Sequence, residues 1–336
     1  MVIESQAMLL RKPGEALVAI TRTLPVPTAG EVRIRVEACG VCRTDLHVVD
    51  GELPQATYPI VPGHEVVGIV EEIGAGVCSV APGERVGVPW LAHTCGQCDY
   101  CRQDHENLCD AAHFTGCTRD GGYSTHLLAN ADYCVRLGPP WTDAAAIAPL
   151  LCAGLIGWRS LNAAGPCQRL GIYGFGAAAH IVAQIARWQG TQIFAFTRPG
   201  DQATQSFARS LGACWAGDSD QPAPEPLDGA ILFAPVGELV PAALQSVRKG
   251  GRVVCAGIHM SDIPRFPYRL LWGERQLVSV ANLTRRDAST FFGMAAAAGV
   301  RTHVQRYPLA DANVALADLR EGRVEGAAVL IPGEAK

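Results

Sequence analysis

The sequence has no cluster of basic residues and no apolar run long enough to cross a membrane. Lysine and arginine never occur more than two in a row, and the formal net charge of the 336 residues is −4. This charge balance argues against a nucleic-acid partner, which needs a basic surface. The most apolar stretch, residues 144–158, contains Pro149 and falls short of the roughly 20 residues of a membrane helix. We therefore predict neither a nucleic-acid nor a membrane partner.

An export signal is also missing from Met1 to Ile20, because charges are spread through this stretch and it lacks an apolar core. The 13 cysteines are therefore expected to be metal ligands and buried thiols in the cytoplasm, and their odd number fits that expectation. With 49% hydrophobic and 18% charged residues, the composition is that of an ordinary globular enzyme. The length predicts about two domains.

Residues 1–90 consist of short strand-like segments joined by glycine and proline turns. The segment Glu31–Ala38 alternates apolar and polar residues, which predicts a half-buried strand, and Val66–Ile73 predicts a second strand. Such a succession is typical of a small β-barrel-like domain.

Reactive side chains are concentrated between these two strands. They are Cys42, Thr44, Asp45, His47, His64 and Glu65. A thiolate with an imidazole suits zinc, and acids beside them suit the outer shell that orients metal ligands. Taken alone, these residues favour a metal site no more than ordinary buried cysteine and histidine.

A second cysteine group has the spacing C-x2-C-x2-C-x7-C. Its members are Cys95, Cys98, Cys101 and Cys109. This spacing lets one loop close around a tetrahedral ion, which predicts a structural zinc site. An iron–sulfur cluster is the alternative, but no proline follows Cys109 and no second set of cluster ligands is present in the sequence. A closed four-thiolate site stabilises a loop and has no open position for substrate.

From Leu170 the pattern changes to alternating strands and helices. A strand at Leu170–Tyr173 leads into a G-x-G-x-x-A turn, a helix that ends before Gly190, and a strand at Gln192–Phe196. The turn residues of interest are Gly174, Gly176, Ala177 and Ala179. This context predicts a dinucleotide-binding turn, in which the helix N-terminus attracts a pyrophosphate. Further units follow, predicted as helix Leu239–Arg248, turn Gly250-Gly251 and strand Arg252–Cys255. The alternation predicts a parallel, doubly wound sheet.

Together these motifs resemble the zinc-containing medium-chain alcohol dehydrogenases of the short bacterial type. Four motifs occur in that family's order: C-x-T-D-x-H, G-H-E, the four-cysteine loop and the glycine turn. The resemblance implies an α/β chain with a GroES-like, β-rich catalytic domain and a doubly wound Rossmann domain. The implied catalytic domain covers residues 1–153 and 286–336, and the implied cofactor domain covers residues 154–285.

The resemblance also implies two zinc ions per chain. Cys42, His64 and Cys152 would bind the catalytic ion, and the four-cysteine loop would bind the structural one. Without the resemblance, Cys152 would be interpreted as a buried core thiol. Its sequence context, Leu-Leu-Cys-Ala-Gly, matches the context of the third zinc ligand in the family. Glu65 would stand behind the metal, and Asp45 would hold the second ring nitrogen of His64.

The implied reaction is hydride transfer between an alcohol or aldehyde and a nicotinamide cofactor. An open zinc position lowers the pKa of a bound hydroxyl, so that the zinc-bound alkoxide forms near neutral pH. Thr44, a cofactor ribose hydroxyl and His47 would relay the proton to solvent. Two other functions stay open, a zinc-free quinone reductase of the same fold and a non-enzymatic zinc-binding module. A polyol dehydrogenase is a further possibility within the family.

The cofactor preference depends on the end of the second Rossmann strand. There the sequence reads Thr197-Arg198, with no carboxylate to grip a ribose 2′-hydroxyl. Arg198 could pair with a 2′-phosphate, so we predict that NADP(H) is preferred and that NAD(H) is possible. Asp201 lies close enough to complicate this prediction. Arg43 matches a pyrophosphate-contacting position, whereas Gly326 stands near where relatives often carry a second arginine.

The substrate is expected to be a small alcohol or aldehyde. By resemblance Leu53 and Trp90 line the substrate pocket, and bulky apolar walls favour primary aliphatic or benzylic substrates over polyols. Either residue could equally belong to the core. The compact length is typical of bacterial members, which are usually dimers or tetramers, so a homo-oligomer is expected.

Overall fold

A computed structural model of the protein describes residues 1–333. Its strands are β1 (Ile3–Leu9), β2 (Val18–Leu24), β3 (Glu31–Val41), β4 (Glu65–Ile73), β5 (Arg85–Val88), β6 (Leu91–His93), β7 (His113–Phe114), β8 (His126–Asn130), β9 (Val135–Arg136), β10 (Arg169–Tyr173), β11 (Gln192–Thr197), β12 (Trp215–Asp218), β13 (Leu227–Leu232), β14 (Val247–Cys255), β15 (Gln276–Ser279), β16 (Val304–Pro308) and β17 (Ala327–Ile331). Its α-helices are α1 (Arg43–Asp50), α2 (Asp99–Arg102), α3 (Ala144–Ile147), α4 (Ala153–Ala164), α5 (Ala177–Trp188), α6 (Gln202–Ser210), α7 (Leu239–Ser246), α8 (Arg285–Ala297) and α9 (Ala312–Arg320).

The chain divides into two compact units. Unit 1 comprises Met1–Cys152, Leu283–Ser289 and Arg301–Lys336, of which the structure describes the residues up to 333. Unit 2 comprises Ala153–Asn282 and Thr290–Val300.

Unit 1 is built around strand β3, which pairs with β4, β8 and β17 in a seven-stranded sheet. Its apolar residues Val32 and Ile34 are fully buried, as the alternating pattern predicts. The predicted strands at Glu31–Ala38 and Val66–Ile73 are thus confirmed, although β3 continues to Val41. This extension brings the chain directly to Cys42.

Helix α1 follows β3 at once and was not predicted from the sequence. Cys42 is its N-cap and forms a capping box with Asp45. The Cys42 side chain accepts a hydrogen bond from the Asp45 backbone, and the Asp45 side chain accepts one from the Cys42 backbone. Gly51 ends the helix with a φ of 76°. Cysteine is not among the usual N-cap residues, and this is why the helix start gave no recognisable signal.

Unit 2 contains a six-stranded parallel sheet in the order β12-β11-β10-β13-β14-β15. The predicted doubly wound sheet is therefore confirmed, and α5 begins at the predicted glycine turn. The Tyr173 and Phe196 rings stack with centroids 4.1 Å apart in the core beside this sheet. Gly190 follows α5 with a φ of 89°, the left-handed conformation expected after a helix.

The predictions around Gly250-Gly251 were wrong in two respects. Helix α7 ends at Ser246 instead of Arg248, and the two glycines lie inside β14 instead of forming a turn before it. The pairing of β14 with β13 shifts register next to this point, between Leu227 and Gly229. Gly250 has a φ of 75°, so the glycines allow an irregularity within a strand.

Within residues 1–333 no single helix is both long and apolar enough to cross a membrane. The segments Ala144–Leu151 and Ala153–Ala164 meet the criterion only when they are counted together across the bend between them.

Candidate active site

Four potential metal ligands converge in unit 1, and we call them the Cys42 cluster: Cys42, His64, Glu65 and Cys152. One ligand atom from each lies within 4.8 Å of the others. The Cys42 sulfur is 3.2 Å from His64 Nε2 and 4.0 Å from the Cys152 sulfur, although Cys152 is 110 residues away in sequence. Cys42 directly follows β3, and Cys152 directly follows the short 3-10 helix Ala148–Leu151. His64 precedes β4, and Glu65 is the first residue of β4.

Asp45 holds two members of the Cys42 cluster in place. Its Oδ1 atom lies 3.0 Å from His64 Nδ1, and its Oδ2 atom accepts a hydrogen bond from the Cys42 backbone N–H at 2.9 Å. The predicted contact between Asp45 and His64 is thus confirmed. A carboxylate at Nδ1 favours a proton on that nitrogen, which leaves Nε2 free to bind a metal.

The Cys42 cluster brings four titratable groups together, two of them buried and two partly buried. The pKa of the Cys42 thiol is raised well above its usual value by its hydrogen bond with Cys152 and by burial. Burial likewise raises the pKa of Glu65, and the charges of Cys42 and Asp45 add to this effect. Burial alone would lower the pKa of His64, but attraction to Asp45 and Cys42 outweighs burial and raises it well above normal. Two partly buried thiols beside a buried imidazole and a buried carboxyl fit a divalent cation.

Gly40 provides room for the Glu65 carboxyl. A Cβ atom on Gly40 would lie 1.8 Å from Glu65 Oε2 and 2.9 Å from Glu65 Cβ. The two residues face each other in the pairing of β3 with β4, and Glu65 is buried. No side chain at position 40 is therefore compatible with the observed place of this carboxyl.

Thr44 and His47 both lie on α1, three residues apart and hence on neighbouring positions of its surface. Thr44 is buried, and its backbone N–H donates to the Cys42 sulfur at 3.3 Å. His47 Nδ1 makes a short contact with the carboxylate of Glu52, a partner that the sequence analysis missed. The relay between Thr44 and His47 stays a prediction.

Trp90 contacts the Cys42 cluster directly, because its ring meets the His64 ring edge-on at 5.1 Å. Phe114, which was not identified from the sequence, stacks on the Trp90 ring with centroids 5.2 Å apart. Trp90 is buried, whereas Leu53 is partly exposed. An aromatic pair thus adjoins the His64 side of the cluster.

The four-cysteine loop, residues 95–109, brings its four sulfur atoms within 4.8 Å of one another. The sulfurs of Cys95 and Cys101 are 4.0 Å apart. The backbone N–H groups of Gln97 and Cys98 lower the pKa of Cys95 to about 6. A thiolate stabilised in this way, with three more sulfurs beside it, fits one tetrahedral zinc ion.

The glycine turn of unit 2 has the features that a dinucleotide site needs. Gly174 has a φ of 84°, and a Cβ atom there would lie 2.8 Å from the Ala234 backbone nitrogen. Gly176 is the N-cap of α5 and makes no side-chain capping bond, so the helix N-terminus remains available to an anion. Ala177 opens the helix, and Ala179 is fully buried. In unit 1, Arg43 is the exposed first residue of α1.

At the end of β11, Thr197 is buried and Arg198 is exposed. Among the described residues the Arg198 side chain forms no hydrogen bond or ion pair. The carboxylate of Asp201 accepts hydrogen bonds from the backbone N–H and the hydroxyl of Thr204, at 3.0 and 2.8 Å, and so caps α6. The Asp201 carboxylate therefore has a structural role as a helix cap. This weakens the argument that Asp201 grips a ribose 2′-hydroxyl in place of the missing carboxylate.

Comparison with known proteins agrees with this geometry. The family described as "Alcohol dehydrogenase GroES-like domain" matches residues 28–139. A probable alcohol dehydrogenase (AdhA) of Mycobacterium tuberculosis is 47% identical over 97% of this chain and 96% of that protein. An alcohol dehydrogenase of Geobacillus stearothermophilus is 34% identical over 91% of this chain and 93% of its own length. A cobalt- and zinc-bound thermostable alcohol dehydrogenase from Pyrobaculum aerophilum superposes with a TM-score of 0.88, at 27% identity over 98% of this chain and 100% of that one.

The fold and the site thus define an oxidoreductase with a GroES-like and a Rossmann-like part. The chain belongs to the zinc-containing medium-chain alcohol dehydrogenase family. It is an enzyme that interconverts alcohols and aldehydes, and the comparisons do not favour the zinc-free quinone reductase or the non-enzymatic zinc module.

Substituting Gly40→Ala should displace the Glu65 carboxyl and disturb the Cys42 cluster. We expect alcohol dehydrogenase turnover to fall on the order of 100-fold, because a displacement of about 1 Å in a catalytic site has that effect. Steady-state kinetics and circular dichroism would measure activity and folding. Gly138→Ala is the matched control, since a Cβ atom there meets nothing within 4 Å. Full activity of the Gly40→Ala variant would contradict the importance of this space.

Proposed function

We propose that Cys42, His64 and Cys152 hold the catalytic zinc ion and that the four-cysteine loop holds a second, structural one. The carrying observation is that two sulfurs and His64 Nε2 converge while Asp45 occupies Nδ1 of the same ring. A zinc ion with three protein ligands is a Lewis acid for the substrate oxygen. Glu65 lies against this group, held by the space at Gly40, and would be available as a further oxygen donor.

Thr44 and His47 are proposed to carry the proton of the alcohol to solvent. Thr44 is buried one residue beyond the start of α1, and His47 lies one turn further along the same helix. The Glu52 carboxylate at His47 Nδ1 would favour the tautomer with its proton on that nitrogen. The nicotinamide cofactor supplies or accepts the hydride when it is bound.

The two units are proposed to correspond to the predicted domains. Unit 1 would be the catalytic domain, since it contains the Cys42 cluster and the four-cysteine loop. Unit 2 would bind the dinucleotide at the Gly174 turn, where the carboxyl ends of parallel strands meet. A cytoplasmic location is proposed as well, because reduced thiols are needed at both cysteine groups.

The cofactor is proposed to be NADP(H), with NAD(H) used less well. The support is Arg198, whose exposed side chain follows β11, together with Asp201, whose carboxylate is engaged by Thr204. A free guanidinium and the absence of a free carboxylate suit a 2′-phosphate better than a 2′-hydroxyl.

The substrate is proposed to be a primary aliphatic or benzylic alcohol, or the matching aldehyde. Trp90 beside His64, with Phe114 stacked on it, forms an aromatic wall that favours an apolar substrate over a polyol. Purified protein should oxidise NADPH, followed by absorbance, with benzaldehyde and butanal. In the opposite direction, reduction of NADP+ with sorbitol that is as fast as with benzyl alcohol would contradict this assignment.

Serine substitutions separate the two cysteine groups. Cys42→Ser or Cys152→Ser should abolish aldehyde reduction and lower the zinc content from two ions to one, while the fold is retained. Cys98→Ser should instead lower the melting temperature first, because the four-cysteine loop is structural. Metal analysis, circular dichroism and kinetics distinguish these outcomes. An active Cys42→Ser variant with two zinc ions would refute the catalytic assignment.

Replacing Arg198 tests the cofactor preference. Arg198→Asp should lower the ratio of NADP to NAD efficiency on the order of 10-fold or more, because a hydrogen bond to a charged group contributes about 1.5–3 kcal/mol. The ratio of kcat/KM for the two cofactors is the measurement. If the ratio does not fall, Arg198 does not read the 2′-phosphate.

The protein is also proposed to form a homodimer through the β15 edge of unit 2. Within the described residues β15 pairs only with β14, and the preceding segment exposes the rings of Tyr268 (70%) and Trp272 (67%).

Trp272→Glu should convert the dimer to a monomer, because it places a charge in an apolar contact. Light scattering after size-exclusion chromatography would report the mass. Trp188→Glu is the matched control, since Trp188 is 54% exposed on α5. A wild-type monomer, or a Trp272→Glu variant that stays dimeric, would rule out this interface.

A further inference from the structure

The loop between β11 and α6 forms a tight turn, residues 198–201, which we call the Arg198 turn. The Asp201 N–H donates to the Arg198 carbonyl at 3.1 Å, with Pro199 and Gly200 between them. Gly200 has a φ of 79°, so proline and glycine occupy the two central positions that a type II turn prefers. The place of the exposed Arg198 side chain therefore depends on how this turn is held.

A hydrogen-bonded pair, Gln205 and Asp218, holds the Arg198 turn to the sheet. Asp218 Oδ1 accepts hydrogen bonds from the Gly200 N–H at 3.0 Å and from Gln205 Nε2 at 2.7 Å. Gln205 Nε2 also donates to the Thr197 hydroxyl at 3.2 Å. Three elements meet here, because Thr197 ends β11, Asp218 ends the adjacent β12 and Gln205 lies on α6.

The negative charge of Asp218 in this pair would affect the binding of an anionic ligand nearby. An uncompensated carboxylate at the carboxyl edge of the sheet would repel a phosphate bound by Arg198. Here two donors converge on Asp218 Oδ1 and direct that oxygen to the turn. The Gln205 side chain is buried, so its amide would lose its hydrogen bonds without gaining water if the turn moved.

We propose that Gln205 is a positioning residue for cofactor selection: through Asp218 it fixes the Arg198 turn, and thereby the affinity for the 2′-phosphate of the dinucleotide. This inference rests on the proposed preference for NADP(H). It differs from that proposal in assigning part of the selectivity to two residues that would act through the Arg198 turn.

The test measures binding of 2′,5′-ADP and of 5′-AMP to the full-length protein by isothermal titration calorimetry. Gln205→Met keeps the side-chain length and removes the donor. It should weaken 2′,5′-ADP binding by about 3- to 10-fold, the effect of a lost hydrogen bond, and change 5′-AMP binding by less. Asp218→Asn keeps the Oδ1 acceptor and should retain or improve 2′,5′-ADP binding. Gln192→Met, an exposed position at the opposite end of β11, is the matched control.

Kinetics provide a second readout that a general loss of stability would not reproduce. In the Gln205→Met variant KM for NADPH should rise by a similar factor while kcat with benzaldehyde is unchanged. If the Gln205→Met variant binds 2′,5′-ADP as well as the wild type does, the proposed role of Gln205 is wrong. An equal loss of 2′,5′-ADP and 5′-AMP binding would have the same meaning, and neither outcome would affect the proposed NADP preference. Wild-type protein that binds 2′,5′-ADP no better than 5′-AMP would instead refute the NADP preference, and the inference with it.

Discussion

The Asp45 carboxylate is the constraint on which the catalytic site depends. One of its oxygens faces His64 Nδ1, and the other accepts the backbone N–H of Cys42 at the start of α1. The same group therefore caps a helix and selects the ring nitrogen that His64 presents to the sulfurs. Asp45, His64 and Glu65 are all buried, so water cannot screen their charges. Their polar groups must therefore find partners within the site. A bound cation is the simplest partner for this group of buried acidic and imidazole side chains.

Much of the site could be predicted from the sequence because its residues lie in short motifs. The spacing of the four cysteines reports their closeness directly, and the glycine turn lies between a strand and a helix that the pattern also predicts. Cys152 was different, since only the family resemblance connected it with Cys42. Local patterns carry no information about a contact across 110 residues.

Most of the missed features depend on contacts between distant parts of the chain. Phe114 meets Trp90, and Gln205 meets Asp218, through packing and strand register that a single sequence does not specify. Helix α1 was missed because a cysteine caps it. Gly250 suggested a turn, but its left-handed conformation is accommodated within β14 by a register shift. Apart from the cysteine cap of α1, tertiary structure decided between alternatives that local chemistry allowed.

The central claim is that Cys42, His64 and Cys152 bind one zinc ion. An anomalous difference map at the zinc absorption edge, from a crystal of the purified protein, tests this most directly. The account predicts a peak about 2.3 Å from the sulfurs of Cys42 and Cys152 and about 2.0–2.1 Å from His64 Nε2. A map with a peak at the four-cysteine loop and none at the Cys42 cluster, in a protein that reduces aldehydes, would contradict it.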